Sequence, residues 1–441
     1  MLGTSSRRRF LVASTGLFCH AALTTKADEI PRAQQRATDG DRREPDWQRR
    51  LTIRVGRKDG DLNGANEKVI QAACDYVARM GGGTVHILPG VYTFRNSVYL
   101  PSNIRIVGSG PETILTKGPS QAIDLAEDSD WYDQQITLSE SSGFRIGDGV
   151  VLFAKNPHNG SQEVIKRTLV AQSGNTFKLN NGLRKNLWLS GKPRCVSVFP
   201  LLTSENTSDV VIEDLTIDGN GKNNENLNGN YGGCIFLQDC NRFTFRNVET
   251  RNYNGDGISF QICHDVRVEN CNSHDNANLG LHPGSGSQRP VITGSRMENN
   301  TIGLFWCWGV RFGKAENNKM IGNRSYGISI GHNDTDNVMR DNLVENSGQV
   351  GILFRDDSRG SDFWANRNLV ENNTIINSGG ESGVAIDIRG KTKDVAIRNN
   401  RLSETRGPEK RIGIRIAAQT ERIRLDGNEV NGFLQTIVRD A

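Results

Sequence analysis

Five related phrases decide the fold: GISFQ (Gly257–Gln261), GLHPG (Gly280–Gly284), GLFWC (Gly303–Cys307), GISIG (Gly327–Gly331) and GILFR (Gly351–Arg355). Their glycines are spaced by 23, 23, 24 and 24 residues. A fixed period of this length marks a solenoid, because one unit cannot bury its apolar face alone and must stack on a neighbour. Within each phrase the apolar residues alternate. Ile258, Leu281, Leu304, Ile328 and Ile352 follow the glycine, and Phe260, Trp306, Ile330 and Phe354 come two later, with Pro283 breaking the row. A period of two is that of a strand. One strand per 23 residues, with successive copies running the same way, predicts the rungs of a parallel β-helix, an all-β solenoid.

Working outward, each unit carries a second apolar strand (Phe243 and Phe245, Val266 and Val268) followed by asparagine: Asn247, Asn270, Asn317–Asn318, Asn342, Asn372–Asn373 and Asn399–Asn400. Asparagine tolerates the left-handed backbone of a tight corner, and stacked amides hydrogen-bond from rung to rung. Beyond residue 355 the rungs lengthen, with Gly383 and Gly413 expected as the next phase markers, 32 and 30 residues on.

Upstream, residues 65–80 (ANEKVIQAACDYVARM) place Val69, Ile70, Ala73, Val77 and Met80 on one helical face, stopped by Gly81-Gly82-Gly83. A helix in this position covers the open first rung. Residues 127–202 lose the period; QQITLSE, GDGVVLFAK, VIKRTLVAQ, NTFKLNNGL and CVSVFP predict a small β-rich insertion. Residues 218–232 (DGNGKNNENLNGNYG) form a long polar loop. Insertion and loop are both suited to wall a cleft. The repeats then occupy 203–441, with helix and first rungs at 51–126.

The 441 residues are 35% hydrophobic, as suits rungs with one thin inner face. The net charge of +4 lies in the first fifty residues, which hold ten Lys/Arg against six Asp/Glu. A neutral body argues against nucleic acid as partner. Ser6-Arg7-Arg8-Arg9-Phe10-Leu11 and the apolar run to Leu23 resemble a twin-arginine export signal, with cleavage after Ala21 or Ala27. That resemblance implies an exported, periplasmic or secreted protein, with residues 1–27 the signal and 28–50 a disordered linker. The apolar run is too short for a transmembrane segment. Seven cysteines lie beyond the signal, without CxxC or zinc spacing. Cys240 and Cys263 occupy equivalent positions on adjacent rungs, as a disulfide or as stacked thiols. Little sequence remains after Phe433–Val438 to cap the last rung, so an exposed end or homo-oligomer contact is expected there.

The opening DGDLNGANEKVIQAA, GGGTVHILPGVYTF and SNIRIVGSG, taken with the rungs, resembles the pectate-lyase-like right-handed β-helix superfamily over residues 51–126 and 203–441. The superfamily includes polygalacturonases, polysaccharide lyases, mannuronan epimerases and phage tailspikes. The resemblance implies a substrate chain lying along the outer face of stacked strands. Two outward rows follow from the alternation: Ser259, His282, Phe305, Ser329 and Leu353, and Gln261, Gly284, Cys307, Gly331 and Arg355. Asn254-Gly255-Asp256 resembles the polygalacturonase Asn-x-Asp motif. The paired aspartates of the next rung fall on Ala277 and Asn278, however, with Asp275 two residues away, and the later Gly-His-Gly falls on Ser325-Tyr326-Gly327. Glycoside hydrolysis needs two placed carboxyl groups, so the usual hydrolase pattern is incomplete. Leu279-Gly280-Leu281-His282-Pro283-Gly284 resembles the Tyr-Gly-Phe-Asp-Pro-His element of epimerases and lyases in its glycine and proline only.

Lyases and epimerases remove the proton beside a uronate carboxylate, which takes a base and a cation to steady the developing charge. His282 is the candidate base, since imidazole ordinarily titrates at about 6.5. Asp256 is placed to orient it or to bind a metal, and Arg311 and Arg355 to hold carboxylates. Ser259, Gln261, Asp275, Phe305, Trp308 and His332 are candidate substrate contacts, and Asp334 with Asp336 a candidate Ca²⁺ site. His282 and Arg355 are expected roughly 14 Å apart, at three rungs of about 4.8 Å. The resulting reading is an exported protein acting on an acidic polysaccharide by β-elimination or C5 epimerisation. A hydrolase with a non-standard carboxylate pair and a non-catalytic glycan-binding β-helix are the alternatives.

Overall fold

A computed structural model describes residues 44–440; the expected signal at 1–27 and most of the expected linker at 28–50 lie outside the described residues. Each complete turn contributes three short strands. In one turn these are Ile258–Gln261, Arg267–Glu269 and Asn272–His274. Each pairs in parallel with its equivalent on the turns either side. The first strand of every turn builds an 11-stranded parallel sheet from Val98–Tyr99 to Gln435–Arg439. A second, 22-stranded sheet holds the other walls. The phase glycines are in line: a Cβ on Gly257, Gly280, Gly303 or Gly327 would lie 2.7–2.8 Å from the carbonyl oxygen of the next glycine in the row. Glycine lets these four rungs approach so closely without a shift.

Past Gly351 the register corrects the expected markers. Val350 pairs with Val384 and Ile352 with Ile386, so Ala385, not Gly383, continues the row, and Gly413 follows Ala385. Methyl replaces hydrogen there, which the sequence period alone does not reveal.

The asparagines divide between two tasks. Asn247, Asn270, Asn317, Asn372 and Asn399 take the left-handed corner. Asn318, Asn342, Asn373 and Asn400 are buried and stack instead: each Oδ1 accepts the backbone N–H of the preceding ladder residue at 2.9–3.0 Å. The corner before Asn342 is Asp341. A further left-handed row alternates in sign: Asp209, Arg242, Asp265, Arg289, Phe312, Asp336, Arg367, Asp394 and Arg422. Arg242–Asp209, Arg289–Asp265, Arg367–Asp336 and Arg422–Asp394 are ion pairs between neighbouring turns. Opposite charges thus meet where like charges would repel.

The helix Glu67–Arg79 is capped by Asn66, whose side chain accepts from Lys68 N, and buries Ile70, Ala73, Cys74 and Val77 against the first strands. No helix among the described residues is long and apolar enough to cross a membrane. The insertion is a six-stranded antiparallel sheet from Ala122–Asp124 to Arg194–Val196, with its own core of Leu152, Ile165, Phe177 and Leu179. The expected disordered linker needs correction at its end. Trp47 is buried in a short 3₁₀ turn and donates to Glu44, which pairs with Arg246. In the last turn of the described residues Leu434 and Ile437 are exposed. Cys240 and Cys263 are free, buried thiols stacked in register, with Cys240 N donating to Cys263 Sγ at 3.4 Å.

Candidate functional site

His282 stands on the outward row, paired in register with Ser259. It is not open to solvent: only 3% of its surface is exposed, and Asp256 beside it is 1% exposed. Asp256 Oδ2 lies 2.8 Å from His282 Nδ1, and Oδ1 accepts from Leu279 N at 3.2 Å. An ionised carboxylate only accepts, so with Asp256 ionised Nδ1 is the donor, and in the neutral imidazole the lone pair is then on Nε2. Nε2 is buried and has no hydrogen-bond partner.

The polar loop supplies the cover. Ser259 Oγ donates to the carbonyl of Gly229 at 2.6 Å and accepts from Gln261 Nε2 at 3.2 Å. A Cβ at Gly229 would fall 1.7 Å from Asp256 Oδ2, so glycine alone lets the loop lie on the carboxylate. Ser259 and Gln261, expected to face substrate, are instead buried supports of the His282 pocket.

Phe305 meets the His282 ring edge-on, centroids 5.3 Å apart, and the Arg355 guanidinium lies 4.3 Å above the Phe305 centroid. Arg355 reaches back along the stack to donate to Ser329 Oγ at 2.9 Å and to the Trp306 carbonyl at 3.0 Å. Gly331 makes room, since a Cβ there would come within 2.5 Å of the guanidinium. The long side chain thus reaches the ring that also contacts His282. Phe305 carries Arg355 on its face, leaving less of the ring for a sugar than the sequence suggested. Beneath Arg355, Asp334 is fully buried. Burial pushes its carboxyl above the ordinary range, opposed by Arg355 and the backbone N–H groups of Gly331, Val310 and Gly309. Cys307 is pushed up to about 12, chiefly by burial.

The candidate calcium ligands are engaged elsewhere. Asp334 accepts from Gly309 N, Val310 N and Gly331 N, each at 2.9 Å. Asp336 forms a two-pronged pair with Arg367 at 2.7 and 2.8 Å. Among the described residues no group of three or more His, Cys, Asp or Glu is placed to hold a metal.

Other candidates separate from His282. Asp275 is held by His274 Nδ1 at 2.6 Å and lines a different groove of ≈ 870 Å³ with Asn254 and Arg324. Arg311 donates to Asn333 at a corner. Trp308 and His332 stack on each other at 4.7 Å, with Phe363 edge-on to His332 and Arg359 over Trp308. Trp308, 38% exposed, adopts φ 63°, an unusual backbone for a bulky residue. Residues without a periodic signature complete these clusters: Gly229 from the loop, Arg359 and Phe363 from the excursion after Phe354, and Lys166 from the insertion, whose ammonium sits 4.0 Å over Phe236 on the outward row.

Residues 201–367 match the family model described as "Right handed beta helix region". The Azotobacter vinelandii mannuronan C-5 epimerase AlgE6 A-module superposes with a TM-score of 0.54 at 16% identity, over 87% of this chain and 95% of that one. PfbA, a surface adhesin of Streptococcus pneumoniae, superposes with a TM-score of 0.54 at 13% identity, over 87% and 93%. The tailspike gp61 of Pseudomonas phage phi297 gives 0.45 at 14% identity, over 84% and 68%. No curated protein matches the chain by sequence. At these identities the likeness is one of fold, and by that fold and the matched repeats the chain is a right-handed parallel β-helix protein.

Proposed function

We propose that the protein is exported, binds an acidic, uronate-containing polysaccharide along the outer face of its 11-stranded sheet, and abstracts a proton beside the uronate carboxylate, leading to β-elimination or C5 epimerisation. One observation carries the reading: His282 turns Nδ1 to a buried carboxylate and keeps Nε2 free, with the Arg355 guanidinium across the intervening Phe305 ring. A neutral imidazole with one nitrogen fixed is a competent base, and a nearby guanidinium suits a carboxylate and the enolate charge that follows. Substrate contact with Nε2 requires the Gly229 loop or Phe305 to move aside.

That enclosure supports a second reading, in which the face binds glycan without turning it over. Incubation with alginate and polygalacturonate separates the two. New ultraviolet absorbance from a double bond marks elimination, and solvent deuterium at C5 without cleavage marks epimerisation. Binding with neither signal supports the second reading, and reducing ends without unsaturation indicate hydrolysis. Loss of turnover in His282→Gln, with folding intact, is expected; full activity in that variant removes the base assignment.

A further inference from the structure

Between the insertion and the polar loop runs an open groove of ≈ 670 Å³, a size suited to a small-molecule or short-chain ligand. The insertion contributes Lys155 and Lys192, both exposed, and neither ammonium has an ion-pair partner among the described residues. Gly191 packs against the backbone of Lys155, where a Cβ would sit 2.1 Å from the Lys155 carbonyl oxygen, and Lys192 follows in a left-handed conformation (φ 51°). The fold thus brings two like charges to one rim, Lys192 in a backbone state disfavoured for lysine. The sole carboxylate lining the groove, Glu225, is neutralised by Arg194 at 3.0 Å.

Val164 also lines the groove, and by strand alternation Lys166 projects from the same side of Gln162–Ser173. Its ammonium rests over Phe236 with no hydrogen bond or ion pair at contact distance among the described residues, and burial holds its amine down at about 8 against the opposing charge of Glu205. Phe236 pairs with Ser259, and Ser259 with His282, so Lys166 stands two rungs from the candidate base. The opposite wall of the groove is the loop whose Gly229 covers Asp256.

We infer that this groove is a binding site for a carboxylate-bearing stretch of polysaccharide, held by Lys155, Lys192 and Lys166 on the side of His282 away from Arg355. The inference rests on the acidic-polysaccharide reading but not on His282 being a base. A chain occupying both flanks crosses the face beside His282 and presses on the loop that closes it.

The test is titration calorimetry of the full protein with alginate and polygalacturonate oligomers, and with dextran as the uncharged control. Lys155→Glu with Lys192→Glu is expected to weaken binding of at least one acidic oligomer by tenfold or more, and Lys166→Gln by about threefold, with unchanged circular dichroism. Lys155→Gln with Lys192→Gln, which avoids added charge, is expected to fall between wild type and the charge-reversed pair. Equal affinity of wild type and the double variants, or no preference for acidic oligomers over dextran, overturns the site. Weakened binding in the lysine variants together with full turnover in His282→Gln retains the groove and removes the base assignment.

Discussion

Arg355 folds back over two rungs to place its guanidinium on the face of Phe305, while His282 meets the same ring at its edge. The candidate base and a cation that start on well-separated turns thereby share one aromatic neighbour. Arg355→Met keeps much of the packing and removes the charge. The expected result is at least a tenfold loss in affinity or kcat/KM for an acidic oligomer, about 1.4 kcal/mol. Arg355→Lys is expected to recover part of this, because lysine retains charge without the planar fork. Oligomer titration and steady-state kinetics check both.

Asp256 is expected to act by fixing the imidazole. Asp256→Asn preserves shape but presents an amide that can donate to Nδ1, which favours the proton on Nε2 and removes the lone pair there. Turnover is expected to fall by roughly a hundredfold or more, with an unchanged thermal transition. NMR of the histidine ring nitrogens reads the tautomer directly; the wild-type tautomer persisting in the variant would remove the positioning role.

Gly229 sets how firmly the loop covers the pair. Gly229→Ala places a methyl where Asp256 Oδ2 now lies, so the loop must lift. Faster acylation of His282 by diethyl pyrocarbonate than in wild type is expected, measured by peptide mass mapping. Equal rates would show that the cover is set elsewhere, with Phe305 the next candidate.

His274 gives a pH-dependent contribution to stability. Burial lowers its pKa, but Asp275 at 2.6 Å and Glu249 at 2.9 Å outweigh this, leaving the folded value above the ordinary one. A raised folded value means that the folded state holds the proton more tightly. The stabilisation is therefore full below about 6.5, the unfolded value, and disappears as pH rises through the folded value. Urea denaturation from pH 5.5 to 8.5 is expected to show wild type losing stability relative to His274→Gln as pH increases.

Much of the architecture was legible because burial and backbone geometry repeat. Gly257 to Gly351 kept step, Trp306 turned inward, and the cap helix fell on its predicted residues. Ala385 escaped notice because an irregular excursion precedes it and a methyl does the work of the expected hydrogen. The alternating Asp–Arg corner row is present in the sequence, but the paired residues are 24 to 33 positions apart and visible only once corners are aligned. In the candidate site, the contact between His282 and Asp256 is legible because each belongs to a repeat. Gly229 and Lys166 come from segments without period, so no spacing rule placed them over the outward row. Asp334 and Asp336 misled for a related reason: composition suggested metal ligands, whereas backbone N–H groups and Arg367 already use their oxygens.

The asparagine ladder yields the sharpest stability contrast. Asn342 accepts from Asn318 N and Asn318 Nδ2, each at 3.0 Å, and donates from Nδ2 to the Ala315 carbonyl and Asn373 Oδ1, each at 2.9 Å. Asn342→Ala leaves several of these buried groups unpaired where water has little access, and each unsatisfied group costs about 1–3 kcal/mol. A loss of roughly 3 kcal/mol or more is expected, read as a lower denaturation midpoint. Asn317, at the neighbouring corner with φ 58°, offers the control. Glycine takes that backbone without strain, so Asn317→Gly is expected to cost less than about 1 kcal/mol. Similar losses in the two variants would mean that corner geometry, rather than amide stacking, holds successive turns together.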